Sequence, residues 1–137
     1  MSLVLDNSVA LAWCFETERT PVLEALLRQV GAHGAIAPTI WPLEAANGLI
    51  MAERRGRLDA TSRRELTDFL RRLPIVLDDE TQERAWTNAT QLALLHGLTI
   101  YDSAYLELAI RRGLPLATLD RDLRRAGKLV GLELLGL

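Results

Sequence analysis

Four acidic residues of this chain, Asp6, Glu44, Asp102 and Asp120, stand where a solvated surface does not account for them. Asp6 directly follows the apolar run Leu3-Val4-Leu5, and Asp120 directly follows Leu116-Ala117-Thr118-Leu119, so each closes a segment that reads as a buried strand. Glu44 lies in the first turn of a stretch with helical spacing, beside Leu43, Ala46 and Ile50, and Asn47, about one turn further on the same side, is a candidate polar support. Asp102 heads a strongly apolar helix expected over residues 103–112. Four oxygen-bearing side chains with no His or Cys among them form the ligand set of a hard cation, Mg2+ or Mn2+. No His or Lys accompanies them, so the ion would have to supply the nucleophile for any hydrolysis.

A plainer role competes with this one. Asp is a favoured N-cap, so Asp102 and Asp120 could each cap the following helix, and Glu44 could complement a helix dipole. Capping does not explain why all four should share one edge of the fold. Asp122 fits equally well as an outer carboxylate or as an ordinary first-turn acid.

The elements that must position these residues follow from the apolar pattern. Leu3-Val4-Leu5, Ala35-Ile36-Ala37, Ile75-Val76-Leu77 and Leu116-Ala117-Thr118-Leu119 do not alternate with polar residues, which suits strands covered on both faces; Leu132-Glu133-Leu134-Leu135 is a fifth run. Between them lie helical spacings such as Leu23, Leu26, Leu27 and Val30. Ser62 and Glu65 read as a capping box, Gly31, Gly56, Gly97 and Gly113 as C-terminal caps, and Pro74 and Pro115 as leads into strands. Alternating strands and helices predict a parallel sheet with right-handed crossovers and helices on both faces, one three-layer α/β/α domain over 1–137. Ligands of such sheets bind at the carboxyl ends of the strands, near the reversal of strand order. If the first and fourth strands are neighbours there, Asp6 and Asp120 meet although they lie at opposite ends of the chain.

Composition sets wider bounds. With 137 residues, 49% hydrophobic and 25% charged, the chain is sized and mixed for one globular domain and not for disorder. No apolar run nears the ~20 residues that span a bilayer, and no signal core follows Met1, so a cytoplasmic protein is expected. The single Cys14 can make neither an intramolecular disulfide nor, alone, a zinc site. A net charge of -2 carries no global signature of a nucleic-acid binder. Positive charge is local: residues 54–72 and residues 111–128 each carry a balance of +4.

The segments Val4-Leu5-Asp6-Asn7-Ser8, Pro42-Leu43-Glu44-Ala45-Ala46-Asn47, Tyr101-Asp102-Ser103-Ala104-Tyr105-Leu106-Glu107-Leu108-Ala109 and Ala117-Thr118-Leu119-Asp120 together resemble the PIN-domain family, in particular the VapC-type toxins of bacterial toxin–antitoxin pairs. The resemblance spans essentially the whole chain and rests on order and spacing rather than on any one segment. It implies that Asp6, Glu44, Asp102 and Asp120 form an acidic metal site, with Asp6 and Asp102 as direct ligands and Ser8 and Thr118 as polar supports. It also implies a sheet of four to five strands ordered 3-2-1-4-5, a homodimer, an antitoxin partner and an RNA substrate.

RNA approaching four carboxylates needs positive flanks. Most arginines of the two basic segments read as solvated helix faces, while Arg121 and Arg124, next to Asp120, are the expected phosphate contacts. Trp13, Trp41 and Trp86 lie in apolar stretches and read as core or interface. Two other readings share the pattern. A signal-receiver or phosphoryl-transfer domain would need a lysine near its aspartates, and Lys128 is badly placed for that. A non-catalytic RNA-binding or protein-interaction module would keep the scaffold without the chemistry.

Overall fold

Alternate residues of the first strand look into different cores, as the two-residue period of a strand requires. In the computed structural model, which describes residues 1–137, β1 is Val4–Leu5. Leu3 and Leu5 pack with α1 (Asn7–Trp13), α2 (Pro21–His33), α3 (Trp41–Arg54) and Leu70 of α4 (Ala60–Arg72). Val4 faces the other way, with Ile36 and Leu116, onto α7 (Ile100–Arg112) and α8 (Arg121–Leu129). Two buried cores thus lie on opposite faces of one sheet, giving the three layers that the element order predicts.

The remaining strands are β2 (Ala35–Ala37), β3 (Ile75–Leu77), β4 (Leu116–Ala117) and β5 (Leu134–Leu135), with short helices α5 (Thr81–Ala85) and α6 (Asn88–His96) between β3 and α7. All pairings are parallel and the order is β3-β2-β1-β4-β5, as the resemblance implies. The order reverses at β1, which pairs with β2 through Val4–Ile36 and with β4 through Val4–Leu116 and Leu5–Ala117. Asp6 follows β1 at this reversal, and the segment holding Thr118 and Asp120 follows β4 beside it. The backbone N–H of Asp6 donates to the carbonyl of Ala117 at 3.0 Å.

Several local expectations change. β3, at the expected edge of the sheet, is not covered on both faces: Val76 and Leu77 remain exposed. Helix α2 runs through Gly31, and the turn falls at Gly34, whose φ of 71° only glycine adopts without strain. Gly97 and Gly113 do close α6 and α7 in the left-handed conformation. The expected capping box at Ser62 and Glu65 is displaced: Asp59 caps α4, accepting from the N–H of Ser62 at 2.7 Å. Helix α7 starts earlier than predicted, with Thr99 as its cap, because the Thr99 hydroxyl accepts the N–H of Asp102. At the crossing of α1 and α3, Gly48 lies against the Leu11 side chain, in space that a Cβ would fill.

Candidate metal centre

Each of the four carboxylates reaches the carboxyl edge of the sheet from a different element. Asp6 caps α1, and its Oδ2 accepts from the hydroxyls of Ser8 at 2.5 Å and Thr118 at 2.8 Å. All hydrogen bonds to the Asp6 carboxylate converge on Oδ2, which leaves Oδ1 free. Glu44 stands in the first turn of α3, and its Oε1 accepts from the Tyr105 hydroxyl at 2.6 Å. Asp120 caps α8 through Oδ2, which accepts the N–H of Leu123 at 2.9 Å. Asp102 lies in the first turn of α7 and is released from capping by Thr99. Capping and convergence therefore coexist at Asp120, whereas the capping explanation fails at Asp102.

Electrostatics tie the four together. Burial pushes Asp102 up to about 6 from an ordinary 3.8, and the charges of Asp120, Asp6, Glu44 and Asp122 add to the rise. Asp6 is raised mainly by burial, against the lowering effect of its Ser8 and Thr118 bonds, and Asp120 pushes it further. Glu44 is raised by burial, opposed by the Tyr105 bond and reinforced by Asp6. No arginine, lysine or histidine forms an ion pair with any of the four. Like charges that converge without a cationic side chain favour either a proton or a metal ion.

The polar supports divide. Ser8 and Thr118 hold the Asp6 side, and the Ser8 hydroxyl also accepts the N–H of Leu119 at 2.9 Å. Thr118 is fully buried. Asn47 is exposed on α3 and makes no side-chain hydrogen bond. Asp122 is exposed and paired with Arg125 at 2.8 Å, yet its charge still reaches Asp102. Among the basic residues, Arg124 donates to the carbonyls of Thr118 at 2.7 Å and Leu135 at 3.1 Å, tying the ends of β4 and β5. Arg121 is exposed and unpaired, on a concave surface with Leu119, Asp120, Asp122 and Arg125. Trp13 and Trp41 are buried, whereas Trp86 is 85% exposed, which leaves it the interface half of its reading and not the core.

Sequence reasoning passed over Tyr105 and Ser103. Tyr105 stands three residues after Asp102 and so shares its helix face, a polar-tipped aromatic where an apolar residue would fill the core. Ser103, fully buried, donates to the carbonyl of Ala89 at 2.5 Å and fixes the start of α7 against α6.

A second acidic group gives a useful contrast. Asp78, Asp79 and Glu80, after β3, bring carboxylate oxygens within 4.8 Å of one another. Arg111 already serves there as the cation, reaching Asp78 at 2.6 Å, Glu107 at 2.8 Å and Glu80 at 3.1 Å. Burial works to raise Asp78, but the Arg111 and Thr81 bonds outweigh it and hold the carboxyl below its usual range. Asp6, Glu44, Asp102 and Asp120 have no such cation among them. The donor set, all oxygen and uncompensated, fits a hard divalent ion.

Known proteins share this fold. Residues 3–129 match the model of the PIN domain. Ribonuclease VapC3 from Pyrobaculum aerophilum is 35% identical over 127 residues, covering 90% of this chain and 92% of that protein. The crystal structure of PAE2754 from the same organism superposes with a TM-score of 0.71 at 25% identity, over 98% of this chain and 90% of that one. FitAcB from Neisseria gonorrhoeae, at 17% identity, shares the fold with a TM-score of 0.68 over 98% of this chain and 96% of that one.

Proposed function

The chain belongs to the PIN-domain family, and on that premise we propose that it is a metal-dependent endoribonuclease of the VapC type, the toxin of a toxin–antitoxin pair. One observation carries the reading: Asp6, Glu44, Asp102 and Asp120 converge on the strand-order reversal with no cationic side chain to balance them. The similarity to a relative named as a ribonuclease supports RNA as the substrate.

Asp6, Glu44, Asp102 and Asp120 hold Mg2+ or Mn2+, with Asp6 and Asp102 as direct ligands. When bound, such an ion acidifies water and offsets negative charge on phosphoryl oxygens. Ser8 and Thr118 orient Asp6 by fixing Oδ2 and presenting Oδ1. Asp120 is aimed by its own cap bond to α8. Arg121, free of any carboxylate at the rim, contacts an RNA phosphate. With water rather than the ribose 2′-hydroxyl as nucleophile, the cut ends carry a 5′-phosphate and a 3′-hydroxyl.

The same reading includes a homodimer, an antitoxin partner and a cytoplasmic location. Apolar side chains left exposed along α5 and α6, Trp86, Leu94 and Leu95, support a protein-covered face. No helix is long and apolar enough to cross a membrane.

Cleavage of total RNA by the protein and by Asp6→Asn, with Mg2+, Mn2+ or excess chelator, tests the proposal. Metal-dependent cuts with 5′-phosphate ends, lost in the variant, are expected. Cyclic 2′,3′-phosphate ends, or cleavage that survives chelation, would overturn the mechanism. Metal binding without cleavage of any RNA would instead assign the scaffold a non-catalytic RNA-binding or protein-interaction role.

A further inference from the structure

We infer that Tyr105 is a positioning residue of the metal centre, fixing Glu44 across the carboxyl edge of the sheet so that its second oxygen is presented to the ion. This rests on the four-carboxylate reading and adds to it a residue that touches neither metal nor RNA.

The two partners come from opposite layers. Glu44 rides on α3, whose Trp41, Ala45 and Leu49 pack on one face of the sheet, while Tyr105 belongs to α7 and the core on the other face. Their 2.6 Å hydrogen bond, between residues 61 positions apart, joins the layers over the strand ends where Asp6 emerges. The Tyr105 ring is fully buried among Val4, Leu106, Leu116 and Leu123, so the hydroxyl cannot follow a moving carboxylate. Glu44, by contrast, is half-buried beside exposed Leu43 and has no other hydrogen-bond donor.

A glutamate has three side-chain torsions, and their freedom must be given up when the group is fixed on an ion. The phenol removes part of that freedom before the ion arrives. It commits Oε1 and leaves Oε2 without a protein donor, as Ser8 and Thr118 do for the two oxygens of Asp6. Asp102 and Tyr105, three residues apart on α7, therefore serve the site from one helix face, one directly and one through Glu44. Partners of this kind typically contribute 10–100-fold to metal affinity.

The experiment is a titration of Mn2+, followed by the paramagnetic resonance signal of the free ion, on the parent, Tyr105→Phe, Glu44→Ala and the double variant. Thermal unfolding of each, without metal, runs beside it. Tyr105→Phe removes only the hydroxyl and is expected to weaken Mn2+ about 10-fold. It is expected to add nothing once Glu44 is already Ala. A merely structural tyrosine would lower the unfolding temperature and leave Mn2+ affinity in place. Unchanged affinity in Tyr105→Phe, or an equal loss with and without Glu44, would overturn the role. Absence of Mn2+ binding by the parent would overturn the four-carboxylate reading itself, and the role of Tyr105 with it.

Discussion

The Thr118 hydroxyl serves Asp6 and Asp120 at once, donating to Oδ2 of Asp6 at 2.8 Å and accepting the backbone N–H of Asp120 at 3.0 Å. One side chain at the end of β4 thus orients the carboxylate after β1 and fixes the backbone of the carboxylate after β4. Thr118→Val keeps the shape and removes both bonds, leaving buried groups unsatisfied. A stability loss of about 1–3 kcal/mol is expected by chemical denaturation. The Mn2+ affinity should fall at least 10-fold in the same preparation. A variant as stable as the parent and equally good at binding Mn2+ would show that the hydroxyl is incidental.

Asp102 gives the site a pH signature. Its folded value, about 6, lies above the ordinary 3.8, so the folded state holds the proton more tightly than the unfolded chain. Stability without metal is therefore expected to fall as pH rises from about 4 to about 6 and to change little from this group above that. The group is half-exposed, so solvent screens much of the effect. At the proposed site Mn2+ would compete for the same carboxylates and should raise the unfolding temperature more at pH 7.5 than at pH 5. Equal rises at the two pH values would place the ion elsewhere.

Arg111 should matter for stability and not for the ion. It is mostly buried between Asp78 and Glu107, themselves almost inaccessible, so Arg111→Ala strands two buried carboxylates. A cost of about 3–5 kcal/mol is expected. Urea unfolding measures it, and Mn2+ affinity of the folded variant should match the parent. A loss below ~1 kcal/mol would mean that water replaces the guanidinium at little cost.

Arg121 and Arg124, adjacent in sequence to Asp120, are expected to separate in function. Arg121→Ala should weaken RNA binding and lower the salt dependence by about one phosphate contact, with no change in unfolding temperature. Arg124→Ala frees the carbonyls of Thr118 and Leu135 and should lower the unfolding temperature. Fluorescence anisotropy with catalytically silent Asp6→Asn protein, across a salt series, distinguishes them. The reverse pattern would exchange their roles.

How far the sequence could be read depended on the range of the interactions. The strands, the helices between them and the four acidic positions were legible because apolar runs and helical spacing are local signals. The exposure of β3 was not, since Ile75, Val76 and Leu77 are as apolar as a strand covered on both faces. Caps were misplaced where two candidates competed: Asp59 displaced Ser62, and Thr99 took the cap beside Asp102. Tyr105 was invisible as a partner of Glu44 because their contact requires two layers to meet over a sheet edge. Arg124 looked like Arg121, and only the neighbouring carbonyls of β4 and β5 tell them apart.

The pairing of β1 with β4 has a temporal side. Asp6 is made well before Asp120, yet their meeting needs both strands side by side. Contacts between such distant segments form late, after the cost of closing a long loop has been met. A growing chain that has not emerged past β4 carries three of its four acids with no Asp120 and no Thr118 to orient Asp6. Until the segment after β4 has been made, Asp6 therefore lacks the Thr118 hydroxyl that orients it.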